Sequence, residues 1–221
     1  MPKEEIKPLI VQKREPFEYT ISYGPFATSR RKLHFSRKEI QDLLIAALLV
    51  VGVGLSFVWY SSLFFNYIMV ALFVIVFTLS FFLHEIAHKA VAQKDGLWAE
   101  FRLTLLGALL TLISALLPIK FISPGAVMIA GYAHRKRTGR ISIAGPLTNI
   151  VLSAAFLPSA FLPVPYVQVF VLGAAFNAWI ALFNLIPFGI FDGLKVFHWS
   201  KKIWILAFTA SLILTIISMS L

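Results

Sequence analysis

Two histidines and a glutamate stand within one short run of the chain, His84-Glu85-Ile86-Ala87-His88. A helix turns about 3.6 residues per revolution, so His84 and His88 project from one face while Glu85 points to the side of them. Two imidazoles at this spacing can bind Zn²⁺, and the neighbouring carboxylate can act on a metal-bound water. The run therefore predicts a helical metal site with a general base beside it.

The surroundings of this run make the prediction more specific. Residues 73–83 read FVIVFTLSFFL, so the ionisable groups follow an apolar stretch in which they are expensive to keep. HExxH alone is a weak signal, because a pattern with three fixed positions occurs by chance in many proteins. The alternative is a pair of structural histidines bonded to backbone, with Glu85 protonated. The apolar setting favours the metal site over that alternative.

The composition is that of a membrane protein. Of the 221 residues, 59% are hydrophobic and only 14% charged, and the mean hydropathy is +0.83. A bilayer core about 30 Å thick needs roughly 20 apolar residues per helical span. Five windows qualify and a shorter sixth is doubtful: 43–60, 64–92, 141–161, 164–188 and 204–221, then 103–119. We predict an all-α polytopic membrane protein with about six spanning helices, or five plus a re-entrant or β-hairpin segment in the membrane.

Basic residues predict how these helices are oriented, since cytoplasmic loops are enriched in Lys and Arg. Connectors 61–67 and 158–166 carry no charge, whereas basic clusters flank the opposite ends of the windows. The second window then runs from outside to inside, its HEIAH lies near the cytoplasmic end, and Lys89 marks the inner interface. Residues 97–133 lie between two inside clusters, so they must return to their own side of the membrane.

The chain divides into two predicted regions. Residues 1–41 form a basic, proline-containing cytoplasmic extension near anionic lipid head groups, and residues 42–221 form the transmembrane domain. The net charge of +10 belongs to the ends of the apolar windows and does not favour a nucleic-acid partner. The chain has no cysteine, so a zinc site must use His, Asp or Glu.

A catalytic zinc needs a third protein ligand and an open position for water. Beyond residue 42 and outside the HEIAH run, five candidates remain: Asp95, Glu100, His134, His198 and Asp192. We expect the first three to be solvated. Asp192 lies in the apolar stretch NLIPFGIFDGLKVF, where Pro187 and Gly189 should end or kink a helix and bring a side chain into the bundle. We favour Asp192, with a helix-capping role as the alternative.

A family resemblance is carried by two separated motifs. HEIAH in a transmembrane helix, followed by Asn184-x-x-Pro187-x4-Asp192-Gly193, resembles the site-2 protease family of intramembrane zinc metalloproteases. The stretch AGPLTN at 144–149 is similar to the small-residue opening of that family's third core helix. The resemblance covers roughly residues 64–194, and the paired motifs are far more specific than either one alone.

The resemblance implies a role for each matching residue. It implies three ligands for one zinc ion per chain, namely His84, His88 and Asp192. Glu85 would activate water, and Asn184 would contact the substrate backbone. Asn177, two turns before Asn184, is a further candidate to pair with substrate, while Asn149 either lines the site or bonds between helices.

The function predicted from the sequence is a membrane-embedded zinc endopeptidase that cleaves within or near transmembrane segments of its substrates, close to the cytoplasmic face. Its partners would be those transmembrane proteins and the lipid bilayer. A metal-ion transporter is one alternative, but the outer halves of the windows are almost wholly apolar. A catalytically silent scaffold that binds membrane helices is another. Glu85 argues against it, because metal binding does not need this residue.

Overall fold

The computed structural model describes residues 33–58, 66–117, 120, 122–131, 133–163 and 165–221. Seven α-helices and two β-strands occur in this part of the chain. In order they are α1 (Arg37–Val58), α2 (Tyr67–Lys94), β1 (Trp98–Leu103), α3 (Leu105–Ser114), β2 (Gly125–Ala130), α4 (Arg135–Phe156), α5 (Val167–Asn184), α6 (Asp192–Trp199) and α7 (Lys201–Ser220). A 3₁₀ turn at Leu157–Phe161 extends α4.

Among the described residues, five helices are long and apolar enough to cross a membrane: α1, α2, α4 with its 3₁₀ turn, α5 and α7. They correspond to the five full windows of the sequence. The ten residues of α3 reach only about 15 Å, half of a bilayer core. The chain is thus a mostly helical, multi-pass membrane protein, as predicted. The division at residue 42 stays a prediction, because residues 1–32 lie outside the described ranges and α1 begins at Arg37.

The segment between α2 and α4 returns to its starting point. Strands β1 and β2 pair antiparallel, in a register that runs from Trp98 opposite Ala130 to Leu103 opposite Gly125, with α3 between the strands. Because its first and last residues pair, the segment cannot have crossed the bilayer an odd number of times. The prediction of five spanning helices plus a strand-containing segment is the version that the structure bears out.

The outer edge of β1 is bonded to neighbouring helices. Side chains cover the edge of β1 that faces away from β2. The backbone N–H of Phe101 donates to Glu39 of α1 at 2.9 Å, and the carbonyl of Ala99 accepts from Gln93 of α2 at 3.1 Å. These bonds tie the sheet to α1 and α2, so β1 is not a free edge.

A buried ion pair joins α1 to the site-bearing helix. Lys89, 1% exposed, donates to Glu39, 0% exposed, and its ammonium lies 3.8 Å from the ring centroid of Phe35. The depth of Lys89 in the membrane stays a prediction; its side chain is buried in the protein, because Glu39 provides the compensating charge. Glu100 was expected to be solvated, but it is 9% exposed and pairs with Arg102.

The orientation of α2 follows from its buried stripe. Phe73 and Phe77 face the bundle core together with residues of α1 and α5, and the ring of Phe77 stacks on Phe176 at 3.6 Å between centroids. Continuing the same stripe by three and four residues per turn leads to Ser80, His84 and His88, all of which are buried. Aromatic packing in one half of α2 therefore directs the two histidines into the bundle.

Candidate metal centre

The three predicted ligand residues meet in the structure. His84 and His88 on α2 are 4% and 7% exposed, and their Nε2 atoms lie 3.1 Å apart. Oδ2 of Asp192 lies 2.9 Å from Nε2 of His88 and 3.7 Å from Nε2 of His84. One ligand atom from each residue falls within 4.8 Å of the other two. This grouping brings together residues more than a hundred positions apart in sequence.

The non-helical segment between α5 and α6, residues 185–191, positions Asp192. Helix α5 ends at Asn184, before Pro187, and Gly189 adopts a φ of +59°, a left-handed conformation that favours glycine. Helix α6 starts at Asp192 itself, and the residue at its N-cap position is Phe191. The Asp192 carboxylate points to the histidines instead of capping α6, which argues against the capping alternative.

Two contacts hold this segment against the bundle. The indole N–H of Trp204, on α7, donates to the carbonyl of Leu185 at 2.7 Å. The same carbonyl lies so close to Gly193 that a Cβ added there would collide with it. The glycine of the Asp-Gly pair thus lets α6 begin directly against the end of α5, and Trp204 supports that arrangement from the far side.

Hydrogen bonds at Nδ1 leave both Nε2 atoms free to coordinate. Nδ1 of His88 lies 2.7 Å from the carbonyl of Ile141, and a carbonyl only accepts, so His88 carries its proton on Nδ1. Nδ1 of His84 lies 2.5 Å from Oδ1 of Asn149. The Nε2 atoms of both rings, on the opposite side from these bonds, face each other and the Asp192 carboxylate.

The charge of Asp192 suits a cation. Burial alone would raise the pKa of Asp192, but positive charge beside it, on His88 in its protonated form and on Lys195, reverses this and holds the pKa well below its ordinary value. The ammonium of Lys195 lies 3.5 Å from Oδ1. Asp192 is therefore a carboxylate at neutral pH, which is the form that binds a metal.

A glycine of helix α4 lies directly against the same atoms. A Cβ added to Gly145 would lie 2.6 Å from Nε2 of His84 and would collide with Nε2 of His88. The two nitrogens can lie this close to α4 only because residue 145 is glycine. Two imidazole nitrogens and one carboxylate are the donor set of a catalytic zinc. The residues present fit a zinc ion.

Glu85 lies beside the metal group but is not one of its three residues. Its carboxyl contacts the backbone of Val127 on β2 and interacts electrostatically with His84 and Asp192. The side chain is half-buried. Glu85 is thus placed between the candidate ligands and the outer edge of β2.

The other predicted site residues are distributed differently. Asn149 and Asn177 are completely buried and bonded to each other at 2.8 Å. Asn184 is half-buried, donates to the carbonyl of Ile180 at 3.0 Å, and lines a small pocket that includes Lys120. Their substrate-binding roles stay predictions. The remaining candidates for the third ligand do not belong to the metal group found among the described residues: Asp95, Glu100, His134 and His198.

Gly145 and Ile141 were not singled out as site residues by the sequence. The AGPLTN stretch includes Gly145, but its motif does not say which atoms the glycine leaves room for. The role of the Ile141 carbonyl cannot be predicted from the residue type, because every residue has the same backbone oxygen.

The fold and the site define a multi-pass membrane protein with a candidate catalytic zinc centre. The chain is 34% identical over 175 residues to a protein of Methanocaldococcus jannaschii named "Putative zinc metalloprotease MJ0611", a match that covers 77% of this chain and 88% of that protein. The chain belongs to this zinc metalloprotease family. No protein-family model matches the chain, and no solved structure matches it.

Proposed function

We propose that the protein is an intramembrane zinc endopeptidase of the site-2 protease type. It hydrolyses peptide bonds within or near transmembrane segments of other membrane proteins. The observation that carries this proposal is the meeting of His84, His88 and Asp192 inside a bundle of membrane-spanning helices, with Glu85 beside them. The family relationship supports the protease chemistry.

Each polar residue of the site has a part in this chemistry. His84 and His88 hold one zinc ion through Nε2, and Asp192 holds it through its carboxylate. Zinc in such a site polarises a carbonyl and makes water a nucleophile near neutral pH. Glu85 takes the proton of the attacking water and gives it to the leaving amine. Since Glu85 is not needed to hold the ion, this proton transfer explains its presence there.

The edge of β2 that faces away from β1 is suited to bind the substrate. The N–H of Thr104 donates to the carbonyl of Pro124 at 3.1 Å. In an antiparallel pair this register turns the backbone groups of every second residue away from β1. On β2 these residues are Gly125, Val127 and Ile129.

A substrate segment at this edge would lie next to the proposed base, because the outward N–H of Val127 donates to the Glu85 carboxyl. An extended peptide can add to an unpaired strand edge through main-chain hydrogen bonds. A transmembrane helix hides its carbonyls in its own hydrogen bonds, so the substrate must first unwind locally. Pairing with β2 stabilises the unwound form. The pocket lined by Asn184 and Lys120 lies between α5 and the segment that leads into β2.

We propose that the site lies near the cytoplasmic face, with the N-terminus on the same side. Trp199 at the end of α6 packs against Gly139 of α4, so the start of α4, helix α6 and the start of α7 are neighbours. They carry six exposed basic residues on the side of the bundle that holds Asp192: Arg135, Lys136, Arg140, Lys195, Lys201 and Lys202. This charge distribution is typical of a cytoplasmic face.

The test compares three purified proteins in detergent: the wild type, Glu85→Gln and the control Asp95→Asn. The control makes the same carboxylate-to-amide change at the end of α2, outside the metal group. Bound zinc is measured in each protein, and each is incubated with a membrane substrate whose helix contains Gly and Pro. We expect zinc in all three and cleavage by the wild type and the control only.

Other outcomes point elsewhere. Cleavage by Glu85→Gln would remove Glu85 from its role, and a wild type that does not bind zinc would contradict the metal site. Zinc flux into vesicles without cleavage would favour the transporter. Bound zinc with neither flux nor cleavage would favour the scaffold.

A further inference from the structure

A buried network of amides lies behind the metal group. Asn149 of α4 and Asn177 of α5 are 0% exposed. The Asn149 amide nitrogen donates to Oδ1 of Asn177 at 2.8 Å and to the backbone carbonyl of Ser80, on α2, at 3.3 Å. The Asn177 amide nitrogen donates to the Ser80 hydroxyl and to the carbonyl of Gly173, both at 2.8 Å.

The partners of this network define the orientation of both amides. The carbonyl of Gly173 only accepts, so the NH₂ group of Asn177 must face it, and Oδ1 of Asn177 must face Asn149. Asn149 therefore turns its own NH₂ toward Asn177 and toward the Ser80 carbonyl. The remaining atom, Oδ1 of Asn149, is left 2.5 Å from Nδ1 of His84.

We propose that Asn149 is a positioning residue that holds the proton of His84 on Nδ1 and so keeps Nε2 available for the metal, with Asn177 holding Asn149 in the required orientation. An amide oxygen only accepts, so Nδ1 must donate. A neutral imidazole can carry its proton on either nitrogen, and the hydrogen bond to the other ring atom decides which. This inference rests on the proposed function, because it takes His84 as a zinc ligand.

The two histidines differ in how their tautomers are held. His88 donates to a backbone carbonyl, that of Ile141, which no side-chain substitution removes. His84 depends on the side chain of Asn149. A single substitution can therefore release one ligand and leave the other in place. Loss of such a partner typically weakens metal affinity by about 10-fold to 100-fold.

The experiment compares Asn149→Leu, which removes the acceptor at similar volume, with Asn149→Asp, which keeps an oxygen facing Nδ1. The matched control is Thr148→Val, next in the chain, whose hydroxyl bonds only within α4, to the carbonyl of Ala144. Zinc affinity is measured by competition with a chelator. The His84 tautomer is read from the imidazole ¹⁵N shifts of the zinc-free proteins, and thermal unfolding is followed in parallel.

We expect Asn149→Leu to weaken zinc binding by about 10-fold to 100-fold and to populate the Nε2–H tautomer of His84. Asn149→Asp should recover most of the affinity, and Thr148→Val should match the wild type. A merely structural role would lower the unfolding temperature without changing the tautomer. If Asn149→Leu does not fold, the wild-type spectrum decides, since Nδ1–H is expected there.

Two results would overturn the inference: an Nε2–H tautomer of His84 in the wild type, or wild-type zinc affinity in Asn149→Leu. The failure of the proposed function is distinguishable from both. A wild type that binds no zinc contradicts the metal site, while the tautomer is measured without metal. A wild type that binds zinc and cleaves, with Asn149→Leu unchanged, contradicts only the role of Asn149.

Discussion

Gly145→Ala tests the geometry of the metal centre most directly. The added methyl carbon would stand 2.6 Å from Nε2 of His84 and closer still to Nε2 of His88. Zinc bonds imidazole nitrogen at about 2.0–2.1 Å, so this carbon takes up much of the space that the ion needs. The substitution adds one carbon and removes no ligand. It therefore separates the presence of the donors from their access to a metal.

The size of the effect follows from these distances. Real Cβ atoms essentially never approach other heavy atoms closer than 3.0 Å, so the rings must move by several tenths of an ångström. Metal sites tolerate deviations of about 0.2 Å in ligand distance. Loss of an indirect support costs about 10-fold to 100-fold, and a direct obstruction should exceed that. We expect zinc affinity to fall at least about 100-fold, or roughly 2.7 kcal/mol.

Folding should survive this change. Overpacking costs about 1–3 kcal/mol, while replacing a helical glycine by alanine returns about 0.5–1 kcal/mol. The net loss of stability is then between about zero and 2.5 kcal/mol. Gly52→Ala is the matched control, because it lies in helix α1 and its Cβ would meet nothing within 4 Å.

The assay is chelator competition for zinc, with thermal unfolding measured on the same samples. Gly52→Ala should bind zinc as the wild type does and unfold at the same or a slightly higher temperature. Wild-type zinc affinity in a folded Gly145→Ala would refute the reasoning, because the two Nε2 atoms could not then be the donors in the arrangement described. Unfolding of the variant together with normal behaviour of the control would show instead that the cost of overpacking was underestimated.

Three further predictions concern the surroundings of the site. Trp204→Phe removes the indole donor to Leu185, so zinc affinity should fall about 10-fold, while the free energy of unfolding falls by only about 0.5–1.5 kcal/mol. Unchanged affinity would show that the segment between α5 and α6 keeps its position without this hydrogen bond. Ile129→Pro removes an N–H that points away from β1 and leaves the bond from Val127 to Glu85 in place. An edge strand tolerates such a proline, so cleavage should fall while bound zinc stays constant; undiminished cleavage would exclude substrate pairing at this edge. Lys89→Met leaves the Glu39 charge buried without its partner and should cost about 3–5 kcal/mol, much of which adding Glu39→Gln should recover; denaturant unfolding of the single and double variants measures both.

The number of spanning helices could be predicted from the sequence, and so could the histidines and the aspartate of the metal group. Helical periodicity alone puts His84 and His88 on one face. Asp192 could be chosen because Pro187 and Gly189 interrupt an apolar run next to it, and these local signals do end α5 and precede α6. Charge clusters required residues 97–133 to return to their own side, and the pairing of β1 with β2 is how they do so.

What the sequence could not supply was the identity of partners that are distant along the chain. Lys89 follows the metal motif and looks like any basic residue at the end of a span, yet Glu39, fifty positions earlier, makes it a buried residue. Glu100 was expected to be solvated for the same reason. The residues around a charged side chain in the sequence do not indicate whether an opposite charge from a distant part of the chain will pair with it. That information lies in the packing of α1 against α2 and β1.

The burial of so many polar groups on α2 also explains how a membrane helix can hold a precise site. Polar groups in a low-dielectric interior are costly unless each finds a partner, and a satisfied network restricts the backbone to one arrangement. Successive buried polar residues of α2 have partners on five different elements: Ser80 on α5, His84 on α4, His88 on α4 and α6, Lys89 on α1, and Gln93 on β1. A shift of α2 toward any one element would lengthen bonds to the others. The metal ligands are therefore held in place by the same interactions that make their burial possible, and removing one of those partners should disturb metal binding before it unfolds the bundle.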